Sequence, residues 1–274
     1  MMCLATAVLM CACEKTSLNE DEKAKTVRIH LANDDTFTRA LSANGSEMTG
    51  VWVFDFVDDE MVQYIHQSAG DADFGTPTMT LTYGDHNLCI VASRGVGPVL
   101  NTDAHKIVWE RPNDTFWADR QLSVSRSSET SVDVTLHRAV TASRLTVTDI
   151  VPEGVATLTV TPALWYYGLD YWLGEPCDPK EDNPFTVDVP QSYIGTQGTL
   201  TVNVYGFSTT AEWSTDVSLT ASDADGNIMG EVNIPAVPFT RNKKSHYSGA
   251  LFSSKPQFTL AIDDNWQDEH TGQW

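Results

Sequence analysis

The residues best equipped for molecular recognition lie together in the run Trp165-Tyr166-Tyr167-Gly168-Leu169-Asp170-Tyr171-Trp172. Exposed Trp and Tyr rings stack on sugar rings or anchor protein contacts, so Trp165, Tyr166, Tyr167, Tyr171 and Trp172 are the candidate ligand contacts. The competing and favoured reading is a buried core or interdomain cluster, because aromatic side chains bury a large apolar area. Asp71-Ala72-Asp73 with Asp85 could gather carboxylates around calcium, but they read better as solvated loop residues. Asp223-Ala224-Asp225-Gly226-Asn227 opens like a calcium loop, yet the sixth and twelfth positions that need Gly and an acid hold Ile228 and Ile234. It reads as a hairpin turn. The seven histidines are scattered without a metal-binding spacing, and there is no CxxC pair. No GxSxG, HExxH, phosphate-binding loop or GxGxxG is present. The reading is a non-enzyme with no cofactor and no metal; a hydrolase whose carboxylate pair assembles only in the fold is the remaining enzymatic alternative.

At the N-terminus, Cys3–Ala12 (CLATAVLMCA) is uncharged and apolar, and Cys13 is followed at once by Glu14 and Lys15. A run of about ten apolar residues is too short to span a bilayer but fits the core of a secretory signal. Ala12 before Cys13 resembles the lipobox of bacterial lipoproteins, which makes Cys13 the candidate lipidation site. No Lys or Arg precedes the run, an expectation that translation starts upstream of Met1. Of the five cysteines, Cys3 and Cys11 lie in this signal. Cys89 sits within the apolar stretch Leu88–Ala92 as a small core hydrophobe. Cys177 lies in a Pro- and Asp-rich loop. A Cys89–Cys177 disulfide stays open, disfavoured by placing one partner in a core strand.

These residues need a scaffold, and the pattern of the chain indicates which. Met79–Tyr83, Val132–Leu136, Leu200–Tyr205, Val217–Ala221 and Phe258–Ile262 alternate apolar and polar residues, often with Thr outward. Period two with branched outward residues describes antiparallel strands with one wet face. Val51–Val57 and Leu88–Ala92 are apolar at almost every position, which predicts central strands covered on both sides. Turn signals such as Asn44-Gly45-Ser46, Pro152-Glu153-Gly154 and Asp225-Gly226-Asn227 recur at short intervals. No segment has convincing helical periodicity; Asp114–Asp119 is the best candidate for one capped turn. The formal net charge of -20 repels nucleic acid and anionic membrane surfaces. The fold class is therefore all-β. About 250 residues follow the signal, enough for two ordinary sandwich domains. The predicted division is a signal peptide over 1–12, a polar linker over 13–25, an N-terminal β-sandwich over 26–140 and a C-terminal β-sandwich over 141–274.

Several segments in order resemble the fimbrillin-type lipoproteins of Bacteroidales, the family of fimbrial subunits and FimB-type anchors. They are the lipobox-like Cys13, the lone strand Thr26–Leu31, a linker with Thr38-Arg39-Ala40, the segment Met48–Asp55, the strand and turn Cys89–Gly95, and Leu136–Thr141 at the junction of the two halves. The resemblance implies two tandem transthyretin-like (Ig-like Greek-key) β-sandwich domains after a lipoprotein signal peptide. It implies an outer-membrane lipoprotein, surface-exposed and possible to incorporate into fimbriae. Its partners would be other fimbrial subunits through strand addition, the outer membrane through the lipid, and host or bacterial surface receptors or glycans. It also implies Arg39 as a candidate processing site whose cleavage would release the first strand, whereas an anchor would keep both lipid and strand. The alternative function is glycan binding by the Trp165–Trp172 run.

Overall fold

A computed structural model describes residues 23–33, 48–198, 200–253 and 255–263. Cys13, Arg39, the signal segment and the Asn44-Gly45-Ser46 turn lie outside these residues. Within them the chain is all-β, with a single short 3-10 turn at Gln191–Tyr193.

The first sheet holds seven strands and curls on itself. One half is β4 (Thr78–Thr82), β1 (Ala24–Asn33) and β9 (Ser131–Arg138); the other is β3 (Glu60–Ser68), β2 (Gly50–Val57), β5 (Gly84–Ser93) and β8 (Thr115–Val124). Among the described residues, strand pairing joins the halves at the short β8–β9 contact, Phe116 with Arg138 and Trp117 with His137. Across the interior, Val27, Ile29, Met79, Leu81, Val134 and Leu136 face Val51, Val53, Leu88, Ile90, Phe116 and Ala118 in one core. β1 lies between two partners, antiparallel to β4 and parallel to β9.

A second set repeats this arrangement. β10 (Val140–Val147) runs antiparallel to β15 (Thr201–Phe207) and parallel to β18 (Lys244–Ala250), which carries β19 (Gln257–Asp263) at its far side. The facing sheet is β14 (Phe185–Asp188), β11 (Val155–Pro162), β16 (Trp213–Asp223) and β17 (Ile228–Phe239). Leu145, Leu158, Val160, Val202, Leu219, Ile234 and Phe239 are among the residues of its core. The expected hairpin at Asp225-Gly226-Asn227 joins β16 and β17, and the Asp223 carboxylate accepts the backbone N–H groups of Asp225 and Asn227. These bonds to the ionised form, chiefly from the Asn227 side chain, hold the Asp223 pKa below its ordinary value.

A smaller sheet joins the two sets: β13 (Glu175–Glu181), β12 (Leu164–Asp170), β7 (Lys106–Val108) and β6 (Val99–Asn101). The predicted division at residues 140/141 falls beside the start of β10, and β7 from before it, which carries β6, pairs with β12 from after it. Asp114–Asp119, read as a possible capped turn, instead leads into and forms the start of β8. Phe116 and Ala118 must both reach the first core, and only an extended backbone points alternate residues to one side.

Arg138 ties the seam together. Its Nε and a second guanidinium nitrogen donate to the two carboxylate oxygens of Asp114 at 2.7 and 3.1 Å, another donates to Asn242 Oδ1 at 3.0 Å, and the guanidinium lies over the Phe116 ring. Asp114 also faces Arg94 at 3.4 Å. Both Asp114 and Arg138 are buried, so removing one partner strands a charge away from water. Asp114→Ala is expected to cost about 3–5 kcal/mol in urea unfolding; a loss below about 1 kcal/mol would show that this network contributes little to the seam.

Candidate functional site

Two features of the molecule answer to the residues singled out above. The first is the seat of β1. Ala24–Arg28 pair with β4 and Arg28–Asn33 with β9, so β1 bridges two strands that do not otherwise pair. Val27 and Ile29 alternate into the core, while Lys25 donates to the Ser128 carbonyl and Thr26 meets Thr80 across the wet face. Burying Val27 and Ile29 contributes about 1.5–3 kcal/mol each. Without β1, the edges of β4 and β9 would present unpaired backbone groups above an exposed apolar floor.

β4 itself is held from below by a buried polar cluster. Asp55 and His86 lie within the first core, with Asp55 Oδ1 2.7 Å from His86 Nδ1 and their side chains at 0% and 1% exposure. His86 Nε2 sits 2.9 Å from the Thr82 carbonyl oxygen. A carbonyl oxygen only accepts, so Nε2 is the donor in this contact. Gln63 completes the cluster, donating to Asp55 Oδ2 and to the Thr80 carbonyl, both at 2.9 Å. Thus both carbonyl anchors belong to β4, the strand that lines one side of the β1 seat. Sequence reading did not single out this trio; a lone Asp inside the apolar Val51–Val57 run was its only signal.

The second feature is the aromatic run, which β12 and the turn after it divide between two interiors. Trp165 and Tyr167 enter the second core, while Leu169 and Tyr171 enter an aromatic layer between the small sheet and the outer face of β2 and β5. Tyr171 stacks on Phe54 with ring centroids 3.7 Å apart, and Trp172 packs on Phe56 at 4.3 Å. Trp165 lies edge-on to Phe239 at 4.3 Å, and its indole N–H donates to the Tyr205 carbonyl at 2.8 Å. Trp165, Tyr167 and Tyr171 are buried; Tyr166 and Trp172 are half-buried. Trp165 rests on Gly206, where any Cβ would collide with the indole.

One cleft adjoins the run. Trp165, Tyr167, Phe185 and Tyr205 form its walls, and the exposed Glu110 and Arg111 stand at its side, with Arg111 over the Phe185 ring. Its volume is only about 40 Å³, room for a small group rather than a whole sugar ring. The layer also encloses Cys89. Cys89 and Cys177 are both free and buried, and burial pushes their thiols up from 9.0 to about 12 and about 11. Among the described residues no cluster of His, Cys, Asp or Glu is arranged to hold a metal.

The sequence profile of a family of unknown function (DUF6562) matches residues 97–274. No curated protein matches the sequence. Solved structures share the fold at low identity. A candidate adhesin of Bacteroides ovatus is 14% identical, with 83% of this chain and 88% of that chain covered at a TM-score of 0.52. A candidate cell adhesion protein of the same species is 12% identical, with 89% and 99% covered at 0.55. A candidate polysaccharide-binding protein of Bacteroides thetaiotaomicron is 8% identical, with 88% and 96% covered at 0.55.

Two outcomes follow from this packing. Gly206→Ala is expected to lower stability by about 1–3 kcal/mol, because an added Cβ would overlap the Trp165 ring and push it from its contact with Phe239; chemical denaturation measures it, and an unchanged midpoint would contradict the close contact. The raised thiols link stability to pH. The unfolded chain releases these protons first, so the thiols' contribution is constant below pH 9.0 and is lost as pH rises towards about 12. Cys89→Ala should flatten part of that slope in urea titrations at increasing pH; an identical slope would remove Cys89 as a contributor.

Proposed function

We propose that this chain, which belongs to the DUF6562 family of unknown function, is a surface-exposed outer-membrane lipoprotein, lipidated at Cys13. In this reading it acts as a fimbrial subunit or a fimbrium-associated anchor, assembles by β-strand exchange and contributes to adhesion. The observation that carries the reading is the seat of β1. A ten-residue strand lies between β4 and β9, parallel to one and antiparallel to the other, with two side chains in the core. A strand with a separate neighbour on each side can be replaced by one from another molecule that makes the same backbone bonds. Support also comes from the fold shared with a candidate adhesin and a candidate cell adhesion protein of Bacteroides ovatus. The division into domains over 26–140 and 141–274 belongs to this reading, as does processing after Arg39.

A second reading, glycan binding, rests on the cleft between Trp165, Tyr167, Phe185 and Tyr205 and on the candidate polysaccharide-binding neighbour. Its small volume and the burial of Trp165 and Tyr167 make it the weaker of the two.

Mass spectrometry of the mature protein from outer membranes separates the cases. A chain that begins at acylated Cys13 and keeps β1 is the outcome for an anchor. A chain that begins at Ala40 and elongates into polymers is the outcome for a subunit, and Arg39→Ala should then abolish both the new terminus and the polymer. A mature chain with no lipid and no oligomer, from cells whose fimbriae are unchanged by deletion of the gene, would overturn the proposal. On a glycan array, binding that Tyr205→Ala removes would favour the second reading.

A further inference from the structure

Sheet edges in soluble proteins are usually blunted by shortness, proline, charge or a covering element, because an open edge templates a further strand. Most edges of this molecule obey that rule. β6, β14 and β4 are three, four and five residues long. β13 carries Pro176 and Pro179, and β17 carries Pro235 and Pro238. β15 lies against β12, whose Trp165 indole bonds its Tyr205 carbonyl.

β3 departs from it. With nine residues it is the longest edge strand without proline, Lys or Arg, and among the described residues it pairs on one side only, with β2. Its outward row carries Val62 and Tyr64, 55% and 46% exposed, followed by His66. This row continues the buried aromatic layer towards solvent: Tyr64 lies 5.8 Å from Phe54, and His66 stacks on Trp52 at 4.6 Å. Burial lowers the proton affinity of His66 despite nearby Asp71, so the row carries no cation at neutral pH. The ends are acidic, with Asp58, Asp59 and Glu60 exposed at the tip of the β2–β3 turn and Asp71 and Asp73 beyond Ser68.

We infer that the free edge of β3 is a docking site for an extended segment of a different protein, with apolar side chains at alternate positions and Lys or Arg at its ends. Backbone bonds to the β3 edge would supply affinity, contact with Val62 and Tyr64 would select the alternating pattern, and the acidic ends would attract the flanking cations. A second copy of this chain fits poorly, since each copy carries a formal charge of -20 and would oppose the same acidic tips. The site makes no use of β1, so this inference and the strand-exchange reading can fail separately.

The test uses a fluorescein-labelled synthetic peptide of alternating Val and Thr, flanked at each end by two lysines, and a control flanked by glutamates. Fluorescence anisotropy with the purified chain should show binding of the lysine-flanked peptide alone, weakened by salt. Val62→Lys alters an exposed position, so its Tm should be unchanged, and Tyr64→Lys, which gives up the Phe54 contact, is assayed well below its own Tm. In both, affinity should fall roughly tenfold or more, a factor that corresponds to ~1.4 kcal/mol. No binding, binding that both variants retain, or equal binding of the glutamate-flanked control would overturn the inference. Sedimentation showing a wild-type dimer that Tyr64→Lys dissociates would overturn it as well, by making a second copy the occupant.

Discussion

The fold depends on one sheet being covered on both faces. β2 and β5 send Val51, Val53, Leu88, Ile90 and Ala92 into the first core and Trp52, Phe54, Phe56, Cys89 and Val91 into the aromatic layer. Neither strand has a wet face along this stretch, so nearly every position must be apolar, and a polar side chain there needs a complete set of partners. Asp55 meets that demand through His86 and Gln63. Because the first core and the aromatic layer share these two strands, a change that shifts either face is felt by the other. Interiors packed at this density transmit displacement rather than absorb it.

From this shared sheet the rest of the architecture follows. The small sheet must lie over the outer face of β2 and β5, and it is assembled from β6 and β7 before β9 and from β12 and β13 after β10. That crossing of the chain binds the two sets of strands by backbone pairing and by aromatic packing such as Tyr171 on Phe54. The Arg138 network closes the same region at the β8–β9 seam. Away from this well-tied middle lies β1, between β4 and β9. It is held by its backbone partners, by Val27 and Ile29, and by the anchoring of β4 beneath it.

Much of the fold was legible because alternation was strict. Met79–Tyr83, Val132–Leu136 and Val217–Ala221 have one wet face, and period two survives in their sequence. The Val51–Val57 run, apolar but for Asp55, and the unbroken Leu88–Ala92 run pointed correctly to central strands. Asp114–Asp119 was harder to read because Phe116 and Trp117 are adjacent aromatics with different surroundings, one in the first core and one packed against the aromatic layer. With both faces apolar, the period disappears from the sequence. The aromatic run had the same ambiguity: its composition suits a ligand surface and an interior equally, and only the position of β12 distributes it between two interiors.

By itself the sequence determined the all-β class, the places of most strands and turns, and the absence of familiar catalytic motifs, since these depend on local pattern and residue type. It also placed the lipobox-like Cys13 and Arg39 in order around the first strand. Tertiary structure alone decided that β1 sits between β4 and β9, that β7 pairs with β12, that Asp55 meets His86, and that β3 pairs on one side only among the described residues. Each of these is a contact between residues far apart in the chain. Pairing of that kind is set by which faces must be buried together, information that no single segment carries.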